Sequence, residues 1–167
     1  LEIIYDNRFD LNEWAIIIML VIGTGLIWIC RKRFPVKELI VYWLFCFFMG
    51  MVFDTIISIE PFDFYDINDN SMFELMDFLT YLGYGVYGFF FVYLYDLLKI
   101  KAVHAPAYIL LWALLSVFTE YIASLIGVFH YKNGYNTFYS LPTYLFVLSL
   151  QLLVYRRVHV KNAARDV

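Results

Sequence analysis

Cysteine is nearly absent, with two residues, Cys30 and Cys46, in a chain of 167. Both lie in apolar surroundings without Cys-x-x-Cys or Cys/His spacing. This argues against a disulfide-stapled secreted domain and a zinc module, and leaves packing as their role. Charge is scarce as well, at 16% of residues, and it is clumped rather than dispersed. Four prolines and eight glycines supply no linker, so one domain over 1–167 is expected. Catalytic signatures are also missing: there is no H-E-x-x-H, no G-x-S-x-G, no Walker motif and no cysteine beside a base. Nothing calls for a cofactor, a resident metal or nucleic acid, and a binding role is favoured over catalysis.

Apolar residues fill that space. The chain is 63% hydrophobic and 22% aromatic with a mean hydropathy of +0.70, whereas soluble domains run nearer to half apolar. Five apolar runs stand out, at about 14–30, 39–59, 73–98, 107–129 and 139–155. At 1.5 Å per residue each crosses, or nearly crosses, a hydrocarbon core of ~30 Å. Barrel strands would alternate apolar and polar residues, and these runs do not. The expected fold class is therefore all-α: a polytopic membrane protein, a bundle of five transmembrane helices.

Direction follows from charge. The segment before the first run, "LEIIYDNRFDLNE", carries Glu2, Asp6, Asp10 and Glu13 against one Arg8. A secretory signal needs a basic region there and a cleavage site after the apolar core. A retained helix with the N-terminus outside is expected instead. The 31–37 loop, the 99–106 loop and the tail from Arg156 then lie inside and hold Arg31, Lys32, Arg33, Lys37, Lys99, Lys101, Arg156, Arg157, Lys161 and Arg165. Only Arg8 and Lys132 fall outside, so ten of the twelve basic residues obey the positive-inside rule. The C-terminus is cytoplasmic on this reading, and a cell membrane is the expected location. The basic loops need no partner beyond the lipid bilayer, although anionic lipid suits them.

"GYGVYG", residues 83–88, matches G-x-G-x-x-G. A dinucleotide site needs a strand before that motif and a helix beginning at it. Inside a continuous apolar run the glycines instead permit close helix packing, or a break in the helix.

Three acids lie within or beside the apolar runs. Asp96 is close to Lys99 and Lys101 and reads as a snorkelling, partly paired carboxylate. Asp54 and Glu120 lie deeper, ~22 Å and ~20 Å from the inner boundary by helical rise. An acid at the bilayer centre costs about 2.5–3.5 kcal/mol on insertion scales, so both need polar partners. Candidates at the same depth are Asp77, Thr80, Tyr81 and Tyr84 on the third helix and Tyr139, Ser140, Thr143 and Tyr144 on the fifth, with Tyr121, His130 and Tyr131 on the fourth or its exit. Three readings stay open, the least favoured being that the acids face lipid. A second is a sealed carboxyl pair that fixes helix packing. The third is an outward-opening pocket for a small ligand, ion or proton, built from Asp54, Glu120, Asp77, Tyr81, Tyr84 and Tyr144. In the 60–74 loop Asp63, Asp66, Asp69 and Asn70 resemble oxygen-rich cation contacts, with His130 as a further one. The D-x-D-x-D-G calcium spacing is absent, and a solvated acidic cap is favoured.

The stretches "FDTIISIEPFDFYD", "DFLTYLGYGVYGFFFVYLYD", "FTEYIASLIGVFHY" and "YSLPTYLFVLSLQLLVYR" together resemble a group of small multi-pass membrane proteins of endospore-forming Gram-positive bacteria. That resemblance spans the second to the fifth helix and implies no activity. A glutamate followed by "GVFHY" is also similar to membrane carotenoid-modifying cyclases, which implies acids serving protonation chemistry. The leading expectation is a plasma-membrane protein that binds a small ligand, an ion or another membrane subunit. The alternatives are a proton-coupled transporter, or an intramembrane enzyme using Glu120 or Asp54 as general acid on an isoprenoid or lipid.

Overall fold

The computed structural model describes residues 9–69 and 73–163, with side chains of the last helix described as far as His159. Glu2, Asp6, Arg8, Asn70 and Arg165 lie outside the described residues, as does the side chain of Lys161. Five helices are long and apolar enough to cross a membrane. They are α1 (Leu11–Cys30), α2 (Val36–Ser58), α3 (Leu75–Leu97), α4 (Ala105–Leu125) and α5 (Leu141–Ala163). This is a multi-pass, mostly helical chain whose lengths and compositions suit contact with lipid.

Local chemistry sets several helix starts. Asp10 caps α1 by accepting from the Asn12 amide at 3.2 Å, while the Glu13 carboxylate accepts the Asp10 amide at 2.8 Å. This reciprocal box satisfies amides that would otherwise have no intrahelical partner. Glu74 and Asp77 form the same box at α3, with the Glu74 amide donating to Asp77 at 2.8 Å. Pro106 occupies the first turn of α4, where its missing N–H is harmless.

Helix α3 is the axis of the bundle and the most buried of the five, whereas α1 is the most exposed. The side chains of Phe89, Phe91 and Val92 on α3 are fully buried. The 83–88 segment runs through α3 without a break. A Cβ on Gly85 would collide with the Trp43 ring, and one on Gly88 with Cys46. These glycines let α2 approach closely, which matters in lipid, where helix association rests on packing.

Connections separate the bundle into two ends. At the basic end Arg31–Arg33 and Ala102–His104 form single 3-10 turns. There Arg33 donates to Asp96 at 2.5 Å and Tyr155 donates to the same carboxylate at 2.5 Å. Asp96 is thus paired to Arg33 from another loop, not to its sequence neighbours Lys99 or Lys101. At the acidic end the loops fold over the bundle. Two short strands, β1 (Tyr65–Ile67) and β2 (Phe129–Tyr131), pair antiparallel with Tyr65 opposite Tyr131 and Asp66 opposite His130. Flanking amides extend the ladder, Asn68 to the Val128 carbonyl and Lys132 to the Phe64 carbonyl.

The strand pair adds to the helical expectation and moves some boundaries. The fourth run, expected to reach residue 129, ends as helix at Leu125, because Gly127 at φ +86° turns the chain into β2. The fifth, expected to end near 155, continues to Ala163. Its final turns are basic and polar, so apolar run length does not report them. The 60–74 loop is not wholly a solvated cap, since Tyr65, Asp66, Ile67 and Asn68 are all buried. Asn12, also buried, ties α1 to this end by donating to Asp69 at 2.8 Å and to the Gly127 carbonyl at 3.4 Å.

Candidate functional site

Asp54 comes from the penultimate turn of α2 and Glu120 from the last two turns of α4, on helices joined at one end by the β1–β2 pair. Both are buried, at 8% and 5% exposure, and both line one cavity of about 30 Å³. Tyr65, Tyr84, Ser140 and Tyr144 lie on its wall with them.

Every carboxylate oxygen accepts from a hydroxyl. Tyr65 donates to Asp54 Oδ1 at 2.6 Å and Tyr84 to Oδ2 at 2.8 Å. On Glu120, Tyr131 and Ser140 donate to Oε1 at 2.7 and 2.8 Å, and Tyr144 donates to Oε2 at 2.5 Å. A second layer holds these donors in place. Thr137 donates to the Tyr131 oxygen at 3.0 Å, and the Tyr135 and Ser140 hydroxyls share a hydrogen bond at 2.9 Å. An ionised carboxylate is an acceptor only, and five donors on four oxygens suit that form. Hydrogen bonds to charged groups are worth ~1.5–3 kcal/mol each, enough to offset the insertion cost of the acids. Among the described residues neither Asp54 nor Glu120 forms an ion pair.

Sterics set the donor positions. The Tyr84 ring occupies the space a Cβ on Gly50 would fill, one turn before Asp54 on the same helix. Tyr65 and Tyr131 face each other across the strand pair with ring centroids 6.2 Å apart, and each reaches a different carboxylate. Burial raises the Tyr65 phenol well above its ordinary range, with the Asp54 charge the next cause. Burial likewise raises Tyr131 and Tyr135. These phenols remain protonated donors throughout the neutral range.

Four of the six residues expected in the pocket converge: Asp54, Glu120, Tyr84 and Tyr144. The other two stand aside. Asp77 caps α3 and accepts from Asn68 at 2.7 Å. Tyr81 packs beside Tyr84 with centroids 6.0 Å apart and is not on the cavity wall. The loop acids do not assemble around one centre. Lys132 Nζ lies 2.5 Å from Asp66 and 3.3 Å from Asp63, while Asp69 turns to Asn12. Burial raises the Asp69 carboxyl, partly countered by the Asn12 bond, with the Glu13 and Asp10 charges adding to the rise. His130 sits in the ladder opposite Asp66. Among the described residues no three His, Cys, Asp or Glu side chains are grouped to hold a metal ion.

Sequence reasoning did not place Tyr65 or Tyr135, because both lie in loops whose depth helical rise does not give. Their clustered aromatic neighbours in "FDFYD" and "FHYKNGY" were the available signal. A cavity of ~30 Å³ corresponds to about one water molecule, far below the 300–1,000 Å³ of organic-ligand sites. Its walls present carboxylate and hydroxyl oxygens to a space of that size. Comparison with protein-family models, with curated proteins and with solved structures gives no match.

Proposed function

We propose that the protein is a cell-membrane protein that binds one small cation, a proton carrier or a dehydrated metal ion, between Asp54 and Glu120. The observation that carries this reading is that two buried carboxylates line one cavity of about 30 Å³ and that no cationic side chain among the described residues is bonded to either. Two carboxylates on one cavity in a low-dielectric interior repel when both are ionised, and a cation between them is the direct compensation. The hydroxyls of Ser140 and the tyrosines keep lone pairs able to face a cation while they donate to the carboxylates. The cavity is too small for an isoprenoid or lipid headgroup, so catalysis on such a substrate is not proposed.

In this reading the acidic end faces outward and the basic end faces the cytoplasm. Support comes from the sequence, in which ten of the twelve Lys and Arg fall in the segments assigned to the inner side. Resemblance to small multi-pass proteins of Gram-positive bacteria supports a plasma membrane. Single cysteines introduced at Phe62 and Val103 in a Cys-free background test the direction. A membrane-impermeant maleimide on intact cells labels position 62 and spares 103; the reverse pattern refutes the orientation.

The binding test uses the full chain in nanodiscs. Sodium, potassium, calcium and magnesium chlorides are titrated separately at several pH values, with thermal unfolding as the readout. At least one cation, or the proton itself, raises the unfolding temperature of the wild type. Asp54→Asn plus Glu120→Gln removes that response. A wild-type unfolding temperature indifferent to all four salts and to pH between 5 and 9 refutes the proposal.

A further inference from the structure

The most exposed helix carries a groove that no described residue fills. Leu20, Val21, Thr24, Gly25 and Trp28 of α1 line an open groove of about 450 Å³. Their three- and four-residue spacing sets them on one side of the helix, over ~12 Å of rise. Helix α1 packs on α3, and there the missing Cβ of Gly23 makes room for Val86. Gly25 differs. A Cβ added to it would meet nothing within 4 Å, so packing among the described residues gives no use for its notch. Val21 and Trp28 are 67% and 65% exposed, and the groove opens away from the bundle.

Positive charge gathers where this groove ends. Arg31 follows Trp28 by one turn and holds its guanidinium 3.5 Å from the centroid of the Trp28 ring. A guanidinium held over a ring by a cation–π contact keeps N–H donors available for an anion. Among the described residues Arg31 and its neighbour Lys32 form no ion pair, whereas Arg33 is paired to Asp96. Both Arg31 and Lys32 are exposed. An apolar groove with two uncompensated cations at its mouth matches an amphiphile with a hydrocarbon chain and a negative head. A second copy of the chain fits worse. Inserted in the same direction, it would bring its own Arg31 and Lys32 to the same end, like charge beside like charge. No acidic side chain lines the groove to answer them.

We propose that this groove binds one anionic phospholipid, with an acyl chain lying along Leu20 to Trp28 and the phosphate at Arg31 and Lys32. The inference is independent of the cation site and holds for either direction of insertion. Glycine at position 25 lets a chain approach the helix backbone, as small residues do wherever surfaces meet closely in lipid. Trp28 stands where hydrocarbon gives way to headgroup, the level that amphipathic rings favour at a membrane boundary. A basic side chain near the surface is worth a factor of about five for anionic lipid, so two of them separate an anionic from a zwitterionic lipid.

The test titrates the full chain in detergent with phosphatidylglycerol and with phosphatidylcholine of the same acyl chains, and native mass spectrometry counts the lipid retained. Wild type is expected to hold one phosphatidylglycerol in clear preference to phosphatidylcholine. Arg31→Gln is expected to lower that preference about fivefold. Gly25→Leu fills the notch at an exposed position and is expected to weaken retention of both lipids without moving the unfolding temperature. Lys37→Gln removes an exposed cation of α2 that does not line the groove, and is expected to leave the preference unchanged. Equal retention of the two lipids by wild type overturns the proposal. A loss in Lys37→Gln as large as that in Arg31→Gln also overturns it, since charge at the basic end would then act without the groove. Unchanged retention in Gly25→Leu removes the groove as the seat of the chain. Lipid-free dimers that Gly25→Leu takes apart would overturn the proposal and assign this face to a second copy.

Discussion

Replacing Glu120 by glutamine asks whether this carboxylate works as a charged acceptor. Its Oε1 takes two hydroxyls and its Oε2 takes Tyr144 alone at 2.5 Å. An amide has one acceptor oxygen and an NH2 group. The oxygen stays with the two donors, and the NH2 faces Tyr144, whose hydroxyl must turn to accept. A charge-assisted bond of ~1.5–3 kcal/mol becomes a neutral one of ~1 kcal/mol. The change in burial cost of the charge belongs to Glu120 alone, so it cancels in a double-mutant cycle with Tyr144→Phe. The expected coupling is about 1–2 kcal/mol, read as equilibrium unfolding in bicelles by steric trapping. If residue 120 were a neutral acid, glutamine would reproduce its bond to Tyr144 and the coupling would fall to zero within error. That result refutes the charged-acceptor account, and with it the need for a metal cation.

Three further outcomes follow from the same geometry. Gly50→Ala puts a Cβ into the Tyr84 ring, within 2.8 and 2.9 Å of Cε2 and Cγ; overpacking of this kind costs ~1–3 kcal/mol, and Tyr84→Leu in the same chain should recover most of it. Lys132→Met removes the ammonium 2.5 Å from the buried Asp66 and should destabilise the acidic end by about 3 kcal/mol; Asp66→Asn in the same chain should restore part of that, and an unchanged unfolding free energy for Lys132→Met alone refutes the pair. Because burial raises the folded-state pKa of Tyr65, the unfolded chain releases that proton first as pH climbs past ~10. Stability should therefore fall above that pH by up to ~1.4 kcal/mol per unit for this group, and Tyr65→Phe should flatten the slope.

Helix count was legible because ~20 apolar residues in a row have few other solutions. Asp54 and Glu120 were legible for the same reason: an acid in such a run is costly, and helical rise gives its depth. Rise gives depth but not facing. Tyr81 and Tyr84 are three residues apart at similar depth, yet only Tyr84 reaches Asp54, since the gap at Gly50 on a different helix admits its ring. Strands of three residues carry too little pattern to be recognised, and that hid Tyr65. Glu38 escaped because it follows Lys37 at the edge of an apolar run and reads as a loop acid. It is buried, bonded to Tyr42 and 3.4 Å from His159 on the stretch of α5 beyond the apolar run.

The short β1–β2 ladder has a consequence for assembly. Tyr65 and Tyr131 stand directly opposite one another, yet they serve different acids on different helices. Slipping the strands by a single residue reverses which face each side chain occupies, and both acids would lose a donor together. Until α4 has followed α2 and both intervening segments have closed, Asp54 and Glu120 sit in the bilayer without these two phenols. Site completion is therefore a late event, reached only when the connecting segments lock.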